Sequence, residues 1–327
     1  MEKRNKILVF RFSSMGDVAM TVPVITEFLN QHPETEIIYV SRKIFKPLFE
    51  DIAGVTFFEA DLDHRHKGVI GLYKLAKELN KTGFTQIADL HNVLRTQIIR
   101  KFLKNQDCAV LDKARKEREQ LVRQQNKIKK QLIPVTERYA MVFRKLGYPF
   151  ELSNQLKKKE NAVENAVGIA PFAMYAGKTY PLDKMRAVAL KIAEKGTKVY
   201  LFGSKKENET FKDWEKLNPN IISVAGKYNL KQEIEIIGRL KLMVSMDSAN
   251  MHLASIAGTR VISIWGTTHP FMGFLGYGQS YEDVIQDENI PERPTSVYGK
   301  ESKNAAKPDY FKNISPEMII ERIEKYL

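Results

Sequence analysis

Residues 6–18 read Lys6-Ile7-Leu8-Val9-Phe10-Arg11-Phe12-Ser13-Ser14-Met15-Gly16-Asp17-Val18. The apolar run over 6–12 has no polar alternation, which is the pattern of a parallel strand covered on both faces. Ser13 to Asp17 form a tight loop. Residues 18–31 then read as a helix, with Pro23 early enough to be tolerated. Further strands are expected at 36–40, 55–59, 86–90 and 109–111, and helices at 45–51, 69–79 and 94–103. Strands alternating with helices mean crossover connections and a doubly wound parallel sheet.

The pattern breaks at 113–131, a stretch dense in Lys and Arg with few apolar residues, read as an exposed helix or arm. A helix follows at 136–146, and the polar stretch 156–165 suits a linker. A second alternating series starts at 166–170. Its strands are expected at 198–202, 221–224, 242–246 and 261–265, and its helices at 185–194, 207–217, 230–239 and 249–257. Residues 291–308 read as loop. A C-terminal helix over 316–326 opens on Ser315-Pro316, a cap followed by proline at the first helical position. The organisation is therefore two α/β domains, 1–155 carrying the basic arm 113–131, and 156–327.

Composition agrees. A chain of 327 residues with 43% hydrophobic content is long enough for two cores. No apolar run approaches the roughly 20 residues of a membrane-spanning helix. The first six residues carry no signal-peptide pattern, so a cytoplasmic location is expected. One cysteine, Cys108, excludes an internal disulfide and a cysteine metal cluster. The net charge of +13 points to anionic partners: nucleic acid, acidic lipid or a phosphorylated substrate.

Four loops at strand ends carry candidate chemistry, because ligands of open α/β sheets bind at the carboxyl ends of strands. In the first, Asp17 faces a cleft as a carboxylate, or else Asp17 or Ser14 merely caps the helix. In the second, Ser245-Met246-Asp247-Ser248-Ala249-Asn250-Met251-His252, a strand runs into a helix whose free N–H groups suit a diphosphate. His252 lies one turn in, able to reach a ligand or to sit in the core. In the third, 171–181, Lys178 either meets a phosphate as a point charge or is a solvated loop lysine. The fourth is Gly266-Thr267-Thr268-His269-Pro270. Together these loops describe a cleft enzyme that uses a nucleotide donor. Asp61-Leu62-Asp63 has the spacing of a metal-binding carboxylate pair but reads as loop.

The combination resembles glycosyltransferase family 9, the heptosyltransferases of the lipopolysaccharide core. The resemblance is carried by Arg11 to Val18 with Pro23, by Asp89-Leu90-His91 to Arg95, by Met246 to Ala254 and by Ile264 to Pro270. It implies two Rossmann-like domains facing across a cleft, the GT-B arrangement. It also implies inverting, metal-independent transfer of heptose from ADP-heptose to the inner core of lipopolysaccharide, with no cofactor. Asp17 takes the catalytic-base role. Lys178, Asp247, Ser248, Ala249 and His252 take donor contacts, with Thr267 and Thr268 beside the donor and Glu207 near the nucleoside. Ser14, Arg95, Arg115, Arg118 and Arg123 are candidates for the acceptor or another anion. The commoner family pattern has Thr-Gly where this chain has Ser248-Ala249, and the Ala249 methyl narrows the space by the diphosphate.

The expected partners are a nucleotide sugar, a lipopolysaccharide precursor and the anionic inner face of the cytoplasmic membrane, reached through the basic arm. A monomer is expected. Other readings are a transferase using another nucleotide sugar, or an epimerase or hydrolase that turns over donor alone. A nucleic-acid binder is disfavoured, because aromatic residues do not interleave with the arm.

Overall fold

The computed structural model describes residues 5–105, 107–157, 164–300 and 308–327. They divide into two compact units, one built from residues up to Lys113 with Val135–Ser153, the other from Ala114–Pro134 and the chain from Asn154 onward. Part of the expected linker at 156–165, part of the tail at 291–308 and the first residues of the chain lie outside the described residues.

The N-terminal unit opens with β1 (Asn5–Phe10), α1 (Met15–Ala19), α2 (Thr21–Gln31) and β2 (Thr35–Ser41). It continues through β3 (Val55–Glu59), α3 (Gly68–Leu79), β4 (Gln86–Asp89), α4 (Leu94–Phe102) and β5 (Cys108–Val110). The strands pair in parallel in the order β3-β2-β1-β4-β5. β1 is central, so Ile7 to Phe10 are fully buried, which is why its sequence shows no alternation. Leu8 and Phe10 share a core with Leu72, Leu75 and Ile99 of α3 and α4. The chain winds outward from β1 through β2 to β3, then returns to β4 and β5, so strand order reverses between β1 and β4.

Beyond Lys113 the chain forms α5 (Arg115–Val122), an irregular stretch, and α6 (Val135–Lys145). α6 rejoins the first unit, where Phe143 stacks on Phe28 of α2 with centroids 4.6 Å apart. The arm does not belong to the N-terminal unit as its sequence position suggested. Leu121 and Leu132 pack with Met272 of the C-terminal unit. Leu132 N donates to Phe271 O at 2.9 Å, and Lys127 Nζ donates to the carbonyls of Glu292 and Pro294. The two leucines, each worth about 2 kcal/mol when buried, anchor a segment whose composition is otherwise all charge.

The C-terminal unit runs β6 (Ala166–Ala170), α7 (Leu182–Glu194), β7 (Lys198–Leu201), α8 (Asn208–Glu215), β8 (Ile221–Ser223) and α9 (Leu230–Arg239). It continues with β9 (Leu242–Met246), α10 (Ala249–Ile256), β10 (Arg260–Trp265), β11 (Val284–Gln286) and α11 (Pro316–Glu324). Strand order is β11-β10-β9-β6-β7-β8, with every pairing parallel. The reversal here lies between β6 and β9. Ser315 accepts from Met318 N at 3.4 Å and caps α11, whose Ile319 and Ile323 complete the core. The edge strand β11 was not expected from sequence, since three residues carry no readable period.

Candidate active site

Each sheet places its polar loops where strand order reverses, the crevice in which open α/β sheets hold ligands. In the N-terminal unit that position is shared by the loop after β1 and the loop after β4. Ser14 is the N-cap residue of α1, and Asp17 sits in its first turn. Asp17 Oδ2 accepts from Ser14 N at 3.2 Å and Ser14 Oγ at 2.8 Å. Asp17 Oδ1 pairs with Arg11 Nη2 at 2.8 Å. Asp17 does act as a cap, but its side chain keeps 26% exposure, so the carboxylate is still accessible. Burial opposes its charge; the Arg11 guanidinium and the Ser14 hydrogen bonds outweigh that and hold its carboxyl below the usual carboxylate range. Arg11 is itself buried, donates to Leu90 O at 2.8 Å and lies over the Tyr139 ring.

The loop after β4 is aimed by Asp89, fully buried, whose Oδ1 accepts from His91 N at 3.0 Å and Asn92 N at 2.7 Å. Asn92 adopts φ 46°, which asparagine tolerates. His91 thereby packs edge-on against Phe12, and its Nδ1 accepts from Phe12 N at 3.3 Å. Burial, reinforced by the charges of Arg11 and Lys113, pushes its pKa down to about 3. His91 is neutral at physiological pH, with its proton on Nε2 as a hydrogen-bond donor. His91 lies within the Asp89 to Arg95 stretch, whose residue order alone assigns it no role. Arg95 is exposed in the first turn of α4.

The geometry gives a pH signature. A base with a lowered pKa stays ionised as pH falls through the ordinary carboxylate range, and activity is lost only below it. Arg11→Met removes the charge that offsets burial, so the acid limb of the kcat/KM profile moves to higher pH. A purely structural defect would lower the rate at every pH without moving the limb.

In the C-terminal unit the loops after β6, β9 and β10 converge. Lys178 Nζ pairs with Asp247 Oδ2 at 2.9 Å, and Thr268 Oγ1 donates to the same oxygen at 2.7 Å. Asp247 is buried. Ser248 is the N-cap residue of α10 in extended backbone, but its hydroxyl makes no cap hydrogen bond and lies 3.2 Å from Ser245 Oγ. The first N–H groups of α10 are therefore not taken by a capping side chain, which leaves them for an anion. Ala249 is half-buried at the start of this helix, and His252 is buried within it.

Thr267 is buried, and its N–H donates to Gly177 O at 2.9 Å, tying the β10 loop to the Lys178 loop. A Cβ on Gly266 would stand 2.1 Å from Gly177 O. Gly266→Ala must therefore push the two loops apart. The expected result is a lower melting temperature, with about 1–3 kcal/mol lost, together with weaker nucleotide binding. Calorimetry measures both.

Beneath this loop lies Arg293, 2% exposed, which the sequence reading did not single out. Its guanidinium donates to Gly266 O at 2.5 Å, Asp287 O at 2.8 Å, Trp265 O at 3.1 Å and Thr268 O at 2.9 Å. Burial pulls its pKa down to about 10, leaving it charged at neutral pH. It is a staple that fixes the loop carrying Thr267 and Thr268.

Glu207 lies just after β7, in the loop where the resemblance puts it, and its Oε2 accepts from Ser204 N at 2.5 Å. One candidate sits otherwise than expected: Arg118 does not face solvent. It is buried over the Phe274 ring at 4.6 Å and donates to Tyr298 Oη at 3.2 Å. Arg115 and Arg123 remain exposed. Among the described residues no group of three or more His, Cys, Asp or Glu could hold a metal. Asp61 instead accepts from the backbone of His64 and Arg65, as a turn residue does.

Two parallel sheets, one with a carboxylate at its order reversal and the other with an anion-competent loop cluster there, define a nucleotide-handling α/β enzyme. The model of glycosyltransferase family 9 (heptosyltransferase) matches residues 72–305, and the chain belongs to that family. It is thus a glycosyltransferase. The chain is 23% identical over 308 residues to the lipopolysaccharide core heptosyltransferase OpsX of Haemophilus influenzae, covering 88% of each. It is similar to the crystal structure of a family 9 glycosyltransferase from Veillonella parvula, with a TM-score of 0.75, 19% identity and coverage of 100% of this chain and 98% of that one. It is also similar to the heptosyltransferase WaaC of E. coli with ADP, with a TM-score of 0.72, 17% identity and coverage of 98% and 100%. These likenesses run over both units and bear out the expected fold of two Rossmann-like units.

Proposed function

We propose that the protein moves a heptose from ADP-heptose to the inner core of a lipopolysaccharide precursor, with inversion and without a metal ion. The observation that carries this is the cluster of Lys178, Asp247 and Thr268 beside the uncapped start of α10, at the strand-order reversal. It fits a sugar diphosphate in two ways. The ammonium of Lys178 and the helix dipole meet the phosphates. The Asp247 carboxylate, which can only accept, suits sugar hydroxyls. The choice of donor and acceptor rests on the relatives, one named for the lipopolysaccharide core and another solved with ADP-2-deoxy-2-fluoro heptose.

In the proposed reaction the acceptor oxygen bonds to the anomeric carbon as the bond to the diphosphate oxygen breaks. Attack opposite the leaving group inverts that centre. Asp17 takes the acceptor proton, and ADP departs with its charge stabilised by Lys178 and α10. Neutral His91 donates from Nε2 to an acceptor oxygen. Arg95, Arg115 and Arg123 are exposed cations suited to acceptor phosphates. Such an acceptor is lipid-borne, so the enzyme would work on the cytoplasmic face of the membrane as a peripheral protein.

Titration with ADP, UDP and GDP tests the donor half. ADP binding well ahead of the other two supports the reading. Equal or preferred binding of UDP would move the donor to another nucleotide sugar and direct attention to Ala249, where the commoner glycine is absent.

A further inference from the structure

We propose that the exposed apolar face shared by α3 and α4 seats the N-terminal unit on an anionic lipid surface. This goes beyond the function above and rests on its premise that the acceptor is lipid-borne. α3 exposes Val69, Ile70 and Tyr73, and α4 exposes Leu94 and Phe102. The two helices pack side by side, and the Tyr73 and Phe102 rings meet edge-on at 5.2 Å, which joins the exposed apolar residues of α3 to those of α4 at that contact. Ile70 is 75% exposed and Leu94 71% exposed, and large apolar side chains this open on neighbouring helices mark an interaction surface.

The rim chooses the partner. Lys67, Lys74, Lys77, Arg95 and Lys101 are all exposed on or beside these helices. Among the described residues none of the five has a carboxylate partner, while the nearby Glu78 is already engaged by Arg65 and His66. Exposed apolar side chains accompanied by cations on the same two helices match the interface of an anionic bilayer, where each cation near the surface and each buried apolar group adds to partitioning. A protein partner would call for carboxylates and fixed pockets.

The placement also serves catalysis. Both helices begin past the carboxyl ends of their strands, and Leu94 is three residues from His91, which packs on the loop carrying Asp17. A unit seated on this face would hold the base near the headgroup layer, where a lipid-borne acceptor presents its sugars. The arm is the rival surface. Its cations Arg115, Arg123, Lys129 and Lys130 are exposed, but Arg118 is turned inward and Lys127 is bound to carbonyls.

Cosedimentation of the full chain with vesicles, phosphatidylglycerol-containing or purely phosphatidylcholine, decides between them. The wild type is expected to bind the anionic vesicles. Ile70→Ser with Leu94→Ser is expected to weaken that binding about tenfold or more. Lys74→Gln, Lys77→Gln and Lys101→Gln together should abolish the preference for anionic lipid. Both variants should transfer sugar to a lipid-free acceptor at the wild-type rate, which shows that they are folded. Absence of wild-type binding to anionic vesicles overturns the proposal. So does unchanged binding of the Ile70 and Leu94 variant, including the case where Arg115→Gln with Arg123→Gln and Lys130→Gln loses it instead. The expected vesicle pattern in a protein that transfers nothing would leave this surface standing and sink the proposed function.

Discussion

Asp17→Asn lowers the rate of sugar transfer by about 10²–10⁴-fold, the range that general-base catalysis supplies, and leaves ADP affinity unchanged. An acceptor hydroxyl is a poor nucleophile until its proton leaves, and an amide cannot take that proton. Asn retains the size of the side chain and can still accept from Ser14, so the start of α1 is kept. What it loses is charge, and with it the ion pair to buried Arg11 at 2.8 Å. Some stability is lost as well, because a buried guanidinium without its carboxylate costs more than an exposed one. Single-turnover transfer, ADP titration and a melting curve on the same preparation separate these effects. The residues proposed for ADP lie in the other unit, so binding is expected to survive. A variant that melts normally and transfers at the wild-type rate removes Asp17 from the mechanism.

Lys178→Met is expected to weaken ADP binding by about 10–100-fold, the scale of a hydrogen bond to a charged group, and to lower kcat as well. Lys178 does two things at once. Its ammonium offers charge to the departing diphosphate, and it holds Asp247, which is buried and shared with Thr268. Removing the cation leaves a buried carboxylate facing the place where phosphates arrive. Repulsion therefore adds to lost attraction. A second substitution separates them: Lys178→Met with Asp247→Asn relieves the repulsion and recovers part of the stability and ADP affinity, but not kcat. Lys178→Arg would not restore the wild type, because the lysine stem is fitted closely. A Cβ on Gly299 would stand 2.2 Å from Lys178 Cδ. Isothermal titration and steady-state kinetics measure the effects; full ADP affinity in Lys178→Met contradicts the assignment.

The parts of this molecule legible in its sequence are those whose cause is local. β1 is apolar over Ile7 to Phe10 because it is central, and Ser14 to Asp17 read as a loop entering a helix because capping is a short-range event. Asp247 and Lys178 were each weak signals, 69 residues apart by number in the chain. Only the parallel pairing of β6 with β9 brings their loops together, at the reversal of strand order. Arg293 had no local signal at all. It stands between two short loop segments, and its guanidinium reaches back more than twenty residues to the carbonyls of Trp265, Gly266 and Thr268. The arm misled for the opposite reason. Its charge dominates the composition, while Leu121 and Leu132, which decide where it packs, are two residues among many. Arg118 went with them, since a guanidinium can stack on an aromatic ring as readily as it can face an anion. His91 belongs to the Asp89 to Arg95 stretch, but its tautomer and its contact with Phe12 follow from the turn built by Asp89, which periodicity does not reveal.

The central claim is tested most directly by mass spectrometry of lipopolysaccharide acceptors truncated in the inner core, incubated with the wild-type protein and ADP-heptose. The expected result is the addition of a single heptose mass to one of these acceptors, with ADP released in equal amount and both products formed about 10²–10⁴-fold more slowly by Asp17→Asn. Release of ADP without addition to any acceptor, at a rate indifferent to Asp17→Asn, would contradict the account and mark the protein as one that turns over donor alone.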